Sequence, residues 1–226
     1  MKLVDRDVII EPTADGSHTL FVPELNEHYH SVNGARQESE HIFIKAALEQ
    51  SPETNIRILE VGFGTGLNAY LTLLRLRDTT KVVDYTGLEL YPLQESIISQ
   101  LNYTEKDSSE SQELFRQLHR VPWNIRTEIT ICFYLTKINT DFRLLNWQVN
   151  EPYNIIYFDA FAPDKQPDMW SQDIFDYLYA NTAKGGILTT YCAKGVVRRM
   201  MQQAGYKVER LPGPPGKREM LRATKG

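Results

Sequence analysis

Glu60-Val61-Gly62-Phe63-Gly64-Thr65-Gly66-Leu67 decides how this chain is read. The stretch follows a short apolar strand, Ile56 to Val61, and opens a helix read from Leu67 to Leu76. Glycines at such a turn let the backbone bend sharply and let a ligand come close. In open α/β sheets, ligands bind beyond the carboxyl ends of the strands, near the switch in strand order. The spacing here is GxGxG. The dinucleotide pattern GxGxxG seats a pyrophosphate on a helix N-terminus, and its third glycine would fall where this chain has Leu67. Glu60, two residues before the first glycine, suits a cationic ligand with an amino group and suits a pyrophosphate poorly. A nicotinamide-dependent oxidoreductase is disfavoured on the same spacing. Twenty-five residues past Gly64, Glu89 ends the next apolar run, where a carboxylate accepts hydrogen bonds from both hydroxyls of a ribose.

Working outward, strand and helix alternate from Asn55 onward. Further strands are read at Val82 to Leu90, Glu128 to Leu135, Tyr153 to Phe158 and Ile187 to Tyr191. Helices are read at Pro92 to Leu101, at a short segment ending near His119, at Met169 to Ala183 and at Val196 to Ala204. This succession implies a doubly wound α/β fold, a mostly parallel seven-stranded sheet with helices on both faces. Tyr206 to Leu211 and Glu219 to Ala223 are joined without a helix and read as an antiparallel hairpin at the edge. Before the repeat, Ala14-Asp15-Gly16-Ser17 between two apolar runs predicts a β-hairpin, and a helix ends near Gln50. The expected division is an N-terminal hairpin and helix extension over 1–54, a candidate lid, and the main domain over 55–226.

A second dense feature is Tyr157-Phe158-Asp159-Ala160-Phe161-Ala162-Pro163. Asp159 closes an apolar strand expected beside the glycine-loop strand, so its carboxylate should face the same crevice. S-adenosylmethionine fits these demands, being a nucleoside with an amino group and a methyl carried on a sulfonium. Transfer of that methyl requires a nucleophile aligned in line and kept unprotonated. A carboxylate beside an amine orients it and accepts its proton. Phe161 offers a π face to the cationic centre. Asp159 and Phe161 are therefore the catalytic candidates.

Of the 226 residues, 42% are hydrophobic and 24% charged, ordinary for a globular protein. No apolar run approaches a membrane span, and charge stands where a signal peptide needs its apolar core, so a cytoplasmic protein is expected. Cys132 and Cys192 read as buried free thiols in strands, and the five histidines form no metal motif, so no metal is expected. The net charge of −4 is unevenly spread. Lys194 to Gly226 carries nine basic residues against Glu209 and Glu219, a net of +7 against −11 for the rest. Such a patch suits phosphate.

The chain resembles the methyltransferase domain of MnmC-type bacterial tRNA wobble-uridine modification proteins. The likeness rests on four stretches: Asp15-Gly16-Ser17 through Tyr29-His30-Ser31 to Glu38-Ser39; Glu60 to Asn68; Asp159-Ala160-Phe161-Ala162-Pro163 with Pro167-Asp168-Met169-Trp170; and Gly216-Lys217-Arg218-Glu219-Met220-Leu221. The resemblance implies a class I, Rossmann-like methyltransferase that uses S-adenosylmethionine to methylate the 5-aminomethyl group of a wobble uridine in tRNA. It implies cofactor binding by Glu60, Gly62, Gly64, Gly66, Glu89 and Asp159, and tRNA as partner. Tyr29 and Glu38 are the candidate substrate contacts in the N-terminal stretch, where His30 is the weakest base. Arg198, Arg199, Lys217 and Arg218 lead the candidate tRNA surface.

Bifunctional members carry a flavin-dependent oxidase domain. This sequence shows no second glycine fingerprint, so that activity is not carried over, and a separate oxidase acting on the same base is the implied partner. The family often has Gly-Asp after the third strand, where the acid reaches the adenine. The corresponding region here is read as Tyr134-Leu135-Thr136-Lys137, with Asp141 a poorly placed substitute. Two other functions share these features. One is a methyl- or aminopropyltransferase acting on a small amine, which would not need the basic segment. The other is a cofactor-binding scaffold without chemistry.

Overall fold

The computed structural model describes residues 6–77, 79–145 and 149–226. The chain opens with β1 (Ile9–Pro12), β2 (His18–Val22) and the short β3 (Glu27–His28), a three-stranded antiparallel sheet in that order. A short helix, α1 (Ala35–Ser39), runs directly into a wider π-helical turn, Glu40–Lys45. The alternating part follows: β4 (Asn55–Val61), α2 (Leu67–Leu76), β5 (Val82–Glu89), α3 (Glu95–Ile98), α4 (Ser109–Arg120), β6 (Thr127–Thr130), β7 (Phe133–Asn139) and β8 (Tyr153–Phe158). It closes with α5 (Gln172–Ala180), β9 (Thr182–Thr190), α6 (Gly195–Ala204), β10 (Lys207–Pro212) and β11 (Glu219–Thr224). The main sheet has the order β10-β11-β9-β8-β4-β5-β7-β6. Its five central strands are parallel, with an antiparallel strand or hairpin at either edge.

The doubly wound architecture matches the expectation, with eight strands where seven are read from the sequence. The apolar run Glu128 to Leu135 is not one strand. The chain reverses at Ile131 and Cys132, so that β6 pairs antiparallel with β7. Ile131 is 86% exposed, and neither it nor Cys132 carries the glycine or proline signal of a turn. Cys132 therefore sits in a turn rather than in a strand. Likewise, the helix expected over Pro92 to Leu101 contracts to the single turn of α3.

Alternation along the strands divides the core in two. Ile56 and Ile58 of β4, with Ile155 and Tyr157 of β8, pack on one face; Leu59 and Val61, with Ile156 and Phe158, pack on the other. The first face carries α2 and also Leu20, Ala35, Ile42 and Phe43 of the N-terminal extension. Ile42 and Phe43 are almost wholly buried, and each such side chain is worth about 1.5–3 kcal/mol. The extension thus shares the sheet's own core. Because side chains alternate with a period of two, Glu60 and Asp159 both fall on the α2 face. α5 and α6 cover the second face with Ile174, Phe175, Leu178, Val197 and Met201.

Candidate active site

A cavity of about 500 Å³ opens at the carboxyl ends of the parallel strands. It lies where strand order reverses, with β4 neighbouring β5 on one side and β8 on the other. The turn between β4 and α2 forms its floor. The Gly62 and Phe63 N–H groups donate to the Leu88 carbonyl at 3.0 and 2.9 Å. Gly62 has φ +94°, and a Cβ there would lie 2.6 Å from the Asp159 carbonyl oxygen. Only glycine lets this turn pass beneath the end of β8.

Glu89, at the end of β5, is locked by backbone donors. Its Oε2 accepts from the Gly64 N–H at 2.9 Å and its Oε1 from the Tyr91 N–H at 2.8 Å. A carboxylate oxygen has two acceptor positions, so each keeps one for a ligand, a spacing that fits the paired hydroxyls of a ribose. Beyond β7, Thr140, Asp141 and Phe142 line the next part of the wall. Three hydrogen bonds from Arg143, led by those of its side chain, orient the Asp141 carboxylate and hold its pKa below the usual range. This corrects the reading of the third strand: β7 continues to Asn139, four residues past Leu135, so Asp141 is well placed where an adenine-contacting acid is expected.

Asp159 stands between this wall and the rest of the cavity. Its N–H donates to the Val61 carbonyl at 3.0 Å, and its Oδ2 accepts from Asn68 Nδ2 at 2.8 Å. The same Asn68 nitrogen donates to Glu60 Oε1 at 2.8 Å, so one amide bridges two carboxylates. Burial, reinforced by the charge of Glu38, pushes the Asp159 carboxyl up to about 7. Glu60 is fully buried, and burial drives its pKa well above normal. It does not line the cavity: Glu60 lies within β4, beneath α2 and beside Tyr85, whereas Asp159 lies just past the end of β8, and Asn68 bridges the two. Sequence reading missed Asn68, although its place in the helix's first turn is a legible signal.

The far half of the cavity is acidic and aromatic. Tyr29 meets Phe161 edge to face at 5.1 Å, and the Phe161 carbonyl accepts from Trp170 Nε1 at 2.7 Å. Glu38, Tyr191 and Lys217 complete the wall. Burial holds His30 down to about 4, leaving it neutral at pH 7. Of the residues expected to bind ligands, Tyr29, Glu38, Gly62, Gly64, Glu89, Asp159, Phe161 and Lys217 line this cavity. Gly66 lies behind the turn, and a Cβ there would press His119 at 2.9 Å. Arg198, Arg199 and Arg218 lie outside the cavity. Lys217 departs from the expected open phosphate-binding surface: it turns inward and pairs with the buried Glu38.

Comparison with known proteins agrees with this geometry. A family model described as S-adenosyl-L-methionine-dependent methyltransferase matches residues 108–226, which include the Asp159 loop and the β10–β11 turn. A relative from Pseudoalteromonas atlantica, "tRNA 5-methylaminomethyl-2-thiouridine biosynthesis bifunctional protein MnmC", is 29% identical over 94% of this chain. The match takes in 32% of that relative, so the chain spans about a third of its length. The crystal structure of MNMC2 from Aquifex aeolicus superposes with a TM-score of 0.83 at 28% identity, covering 97% of this chain and 70% of the other. The spermidine synthase of Thermotoga maritima shares the fold with a TM-score of 0.57 at 11% identity, covering 100% of this chain and 82% of the other.

Proposed function

We propose, for a chain that belongs to the S-adenosyl-L-methionine-dependent methyltransferase family, that it transfers the methyl group to the 5-aminomethyl nitrogen of a wobble uridine in tRNA. The observation that carries the amine acceptor is Asp159, a carboxylate raised to about 7 at the junction of two unlike half-cavities. Similarity over 94% of the chain to a protein named for biosynthesis of a methylaminomethyl uridine supports the tRNA base as the amine's carrier.

The cofactor fits the residues present. Glu89 would hold the ribose with its two remaining acceptor positions. Asp141, steadied by Arg143, would meet the adenine, and the Gly62–Gly66 turn leaves room for the chain that ends in the amino acid. When bound, the cofactor supplies a methyl group activated by a sulfonium. The chain's own residues do the rest. Asp159 Oδ2 is tied to Asn68, so Oδ1 is the atom that orients an incoming amine and takes its proton. With its pKa near 7, Asp159 is poised for this exchange close to neutral pH. Tyr29 and Phe161 narrow the passage and exclude water.

Incubation with labelled S-adenosylmethionine tests the reading, using tRNA that lacks the modification and, separately, a pool of small amines. Label in the anticodon wobble nucleoside is the expected result. Label in a small amine alone would move the acceptor assignment to that class, and label in neither would leave cofactor binding without this chemistry.

A further inference from the structure

We propose that the Glu38–Lys217 ion pair is a positioning pair for Asp159, setting the charge beside the carboxylate that receives the acceptor amine. The proposal rests on the amine-acceptor reading above. Lys217 Nζ donates to Glu38 Oε1 at 2.5 Å and lies 3.9 Å from the centre of the Tyr191 ring. Glu38 Oε2 accepts from the Ser31 N–H at 2.7 Å. The Tyr191 hydroxyl donates at 2.8 Å to the carbonyl of Ala160, the residue next to Asp159. The pair therefore ties together α1, the segment after β3, the end of β9 and the Asp159 loop, across 179 positions of sequence.

The turn carrying Lys217 is built to hold it inward. Its Lys217 N–H donates to the Pro214 carbonyl at 2.9 Å, and the Gly213 N–H to the Arg218 carbonyl at 3.1 Å. A His41 ring nitrogen meets the Pro212 carbonyl at 2.8 Å. Gly216 is pressed so close to Asn33 that a Cβ would lie 2.0 Å from its Nδ2. An exposed phosphate contact would need none of this.

The groups facing Asp159 are Glu60 from β4, Tyr85 from β5, Asn68 from α2, Tyr191 after β9, Glu38 from α1 and Lys217 from the last turn. Among them Lys217 is the one cation; Arg6 also lines the cavity, over the Tyr91 and Phe161 rings at 4.0 and 5.6 Å. Without Lys217, Glu38 would stand as an uncompensated anion beside Asp159, and like charges favour the protonated acid. An Asp159 that stays protonated cannot take a proton from the amine. Glu38 in turn keeps the Lys217 ammonium in the wall instead of letting it cross to Asp159 as a competing ion-pair partner for the substrate.

The test is a charge cycle with Lys217→Met, Glu38→Gln and the double variant, read by NMR of the Asp159 carboxyl carbon in the protein alone, with Asp159→Asn to assign the signal. Lys217→Met should raise the Asp159 pKa by about one unit and Glu38→Gln should lower it by a similar amount. The double variant should return towards the parent, and Lys217→Arg should match the parent. With substrate, the acid limb of kcat/KM should follow the same shifts, so that Lys217→Met loses roughly tenfold in rate below the midpoint. Loss of packing alone would move both single variants the same way. That result, or no movement in either, overturns the proposal. Glu38→Gln preserves side-chain volume and an acceptor for Ser31, so it carries the test if Lys217→Met does not fold. Opposite shifts in a protein that methylates neither tRNA nor small amines would uphold the charge pairing and reject the acceptor reading.

Discussion

Replacing Glu89 by alanine is expected to weaken S-adenosylmethionine binding on the order of 100-fold, about 2.7 kcal/mol. The magnitude follows from the acceptor count at one carboxylate. Two of its positions are filled by the Gly64 and Tyr91 N–H groups, and the other two are free for the ribose hydroxyls. A hydrogen bond to a charged group contributes roughly 1.5–3 kcal/mol net, so two give about 3–6 kcal/mol. Water that enters the truncated site recovers part of that. The two backbone donors lose their acceptor as well, but both face a solvent-reached cavity, so the fold should lose only about 1–2 kcal/mol. Glu89→Gln is the finer probe. It keeps one acceptor oxygen and turns an NH₂ group against a backbone N–H, so it should fall between parent and alanine. Calorimetric titration gives the affinities, and thermal melts of the ligand-free proteins give the stability cost. A 2′-deoxy analogue of the demethylated cofactor should bind much more weakly than the ribo form to the parent, and nearly equally to Glu89→Ala. An equal deoxy penalty in both proteins would refute the ribose assignment.

Three further outcomes follow from the site. Asp159→Asn should remain folded and lose at least about 100-fold in single-turnover rate, because proton acceptance alone contributes roughly 10²–10⁴; the parent's rate should rise with pH through about 7, a limb absent from the variant. The sign for stability is opposite. A carboxyl raised in the folded state to about 7 stabilises at low pH and loses that contribution as pH climbs from about 4 to 7, so the Tm of Asp159→Asn should gain on the parent's at pH 8 relative to pH 4. Gly62→Ala should cost about 1–3 kcal/mol in a denaturant melt and depress transfer along with stability, since the φ of +94° is strained for alanine and its Cβ would displace the Asp159 carbonyl. Charge reversal of Arg198 and Arg199 together should weaken tRNA binding and lower the slope of log affinity against log salt by roughly 1–2, with cofactor affinity unchanged; identical salt titrations for variant and parent would remove these residues from the interface.

That Gly62, Gly64, Glu89 and Asp159 line one cavity is legible in the sequence because each of these features is local. A glycine turn after a strand, a glutamate ending the next strand and an aspartate ending a third are patterns of sequence spacing, and the parallel sheet sets their ends side by side. The failures are physical as well. Glu60 shares the α2 face with Asp159 but lies within its strand rather than past its end, and a reading that scores proximity to the glycine turn does not see that depth. The reversal at Ile131 and Cys132 has no turn residues, so sequence alone places the third strand too early and makes Asp141 look poorly placed. The π-helical turn after α1 leaves the 3.6-residue period, so its boundaries were not legible either.

In the other half, Tyr29, Glu38, Asp159, Phe161 and Lys217 each stand out in the sequence as candidates, but their mutual contacts do not. Glu38, Asp159, Tyr191 and Lys217 come from four separate stretches, and no spacing rule links the first to the last. The basic character of the last segment pointed towards phosphate, yet a net charge of +7 counted along the chain says nothing about direction. Lys217 and Arg218 are neighbours on one turn: Arg218 is exposed, whereas Lys217 is partly buried against an acid. A single turn thus presents one cation to solvent and one to the cavity. On the proposed function, attraction of a polyanion and charge control of an amine-accepting carboxylate would be separable roles of adjacent residues. That separation explains why the N-terminal extension is part of the site. Glu89 and Asp141 belong to the main sheet and its loops, whereas Glu38, which holds Lys217, and Tyr29, which meets Phe161 edge to face, come from the extension.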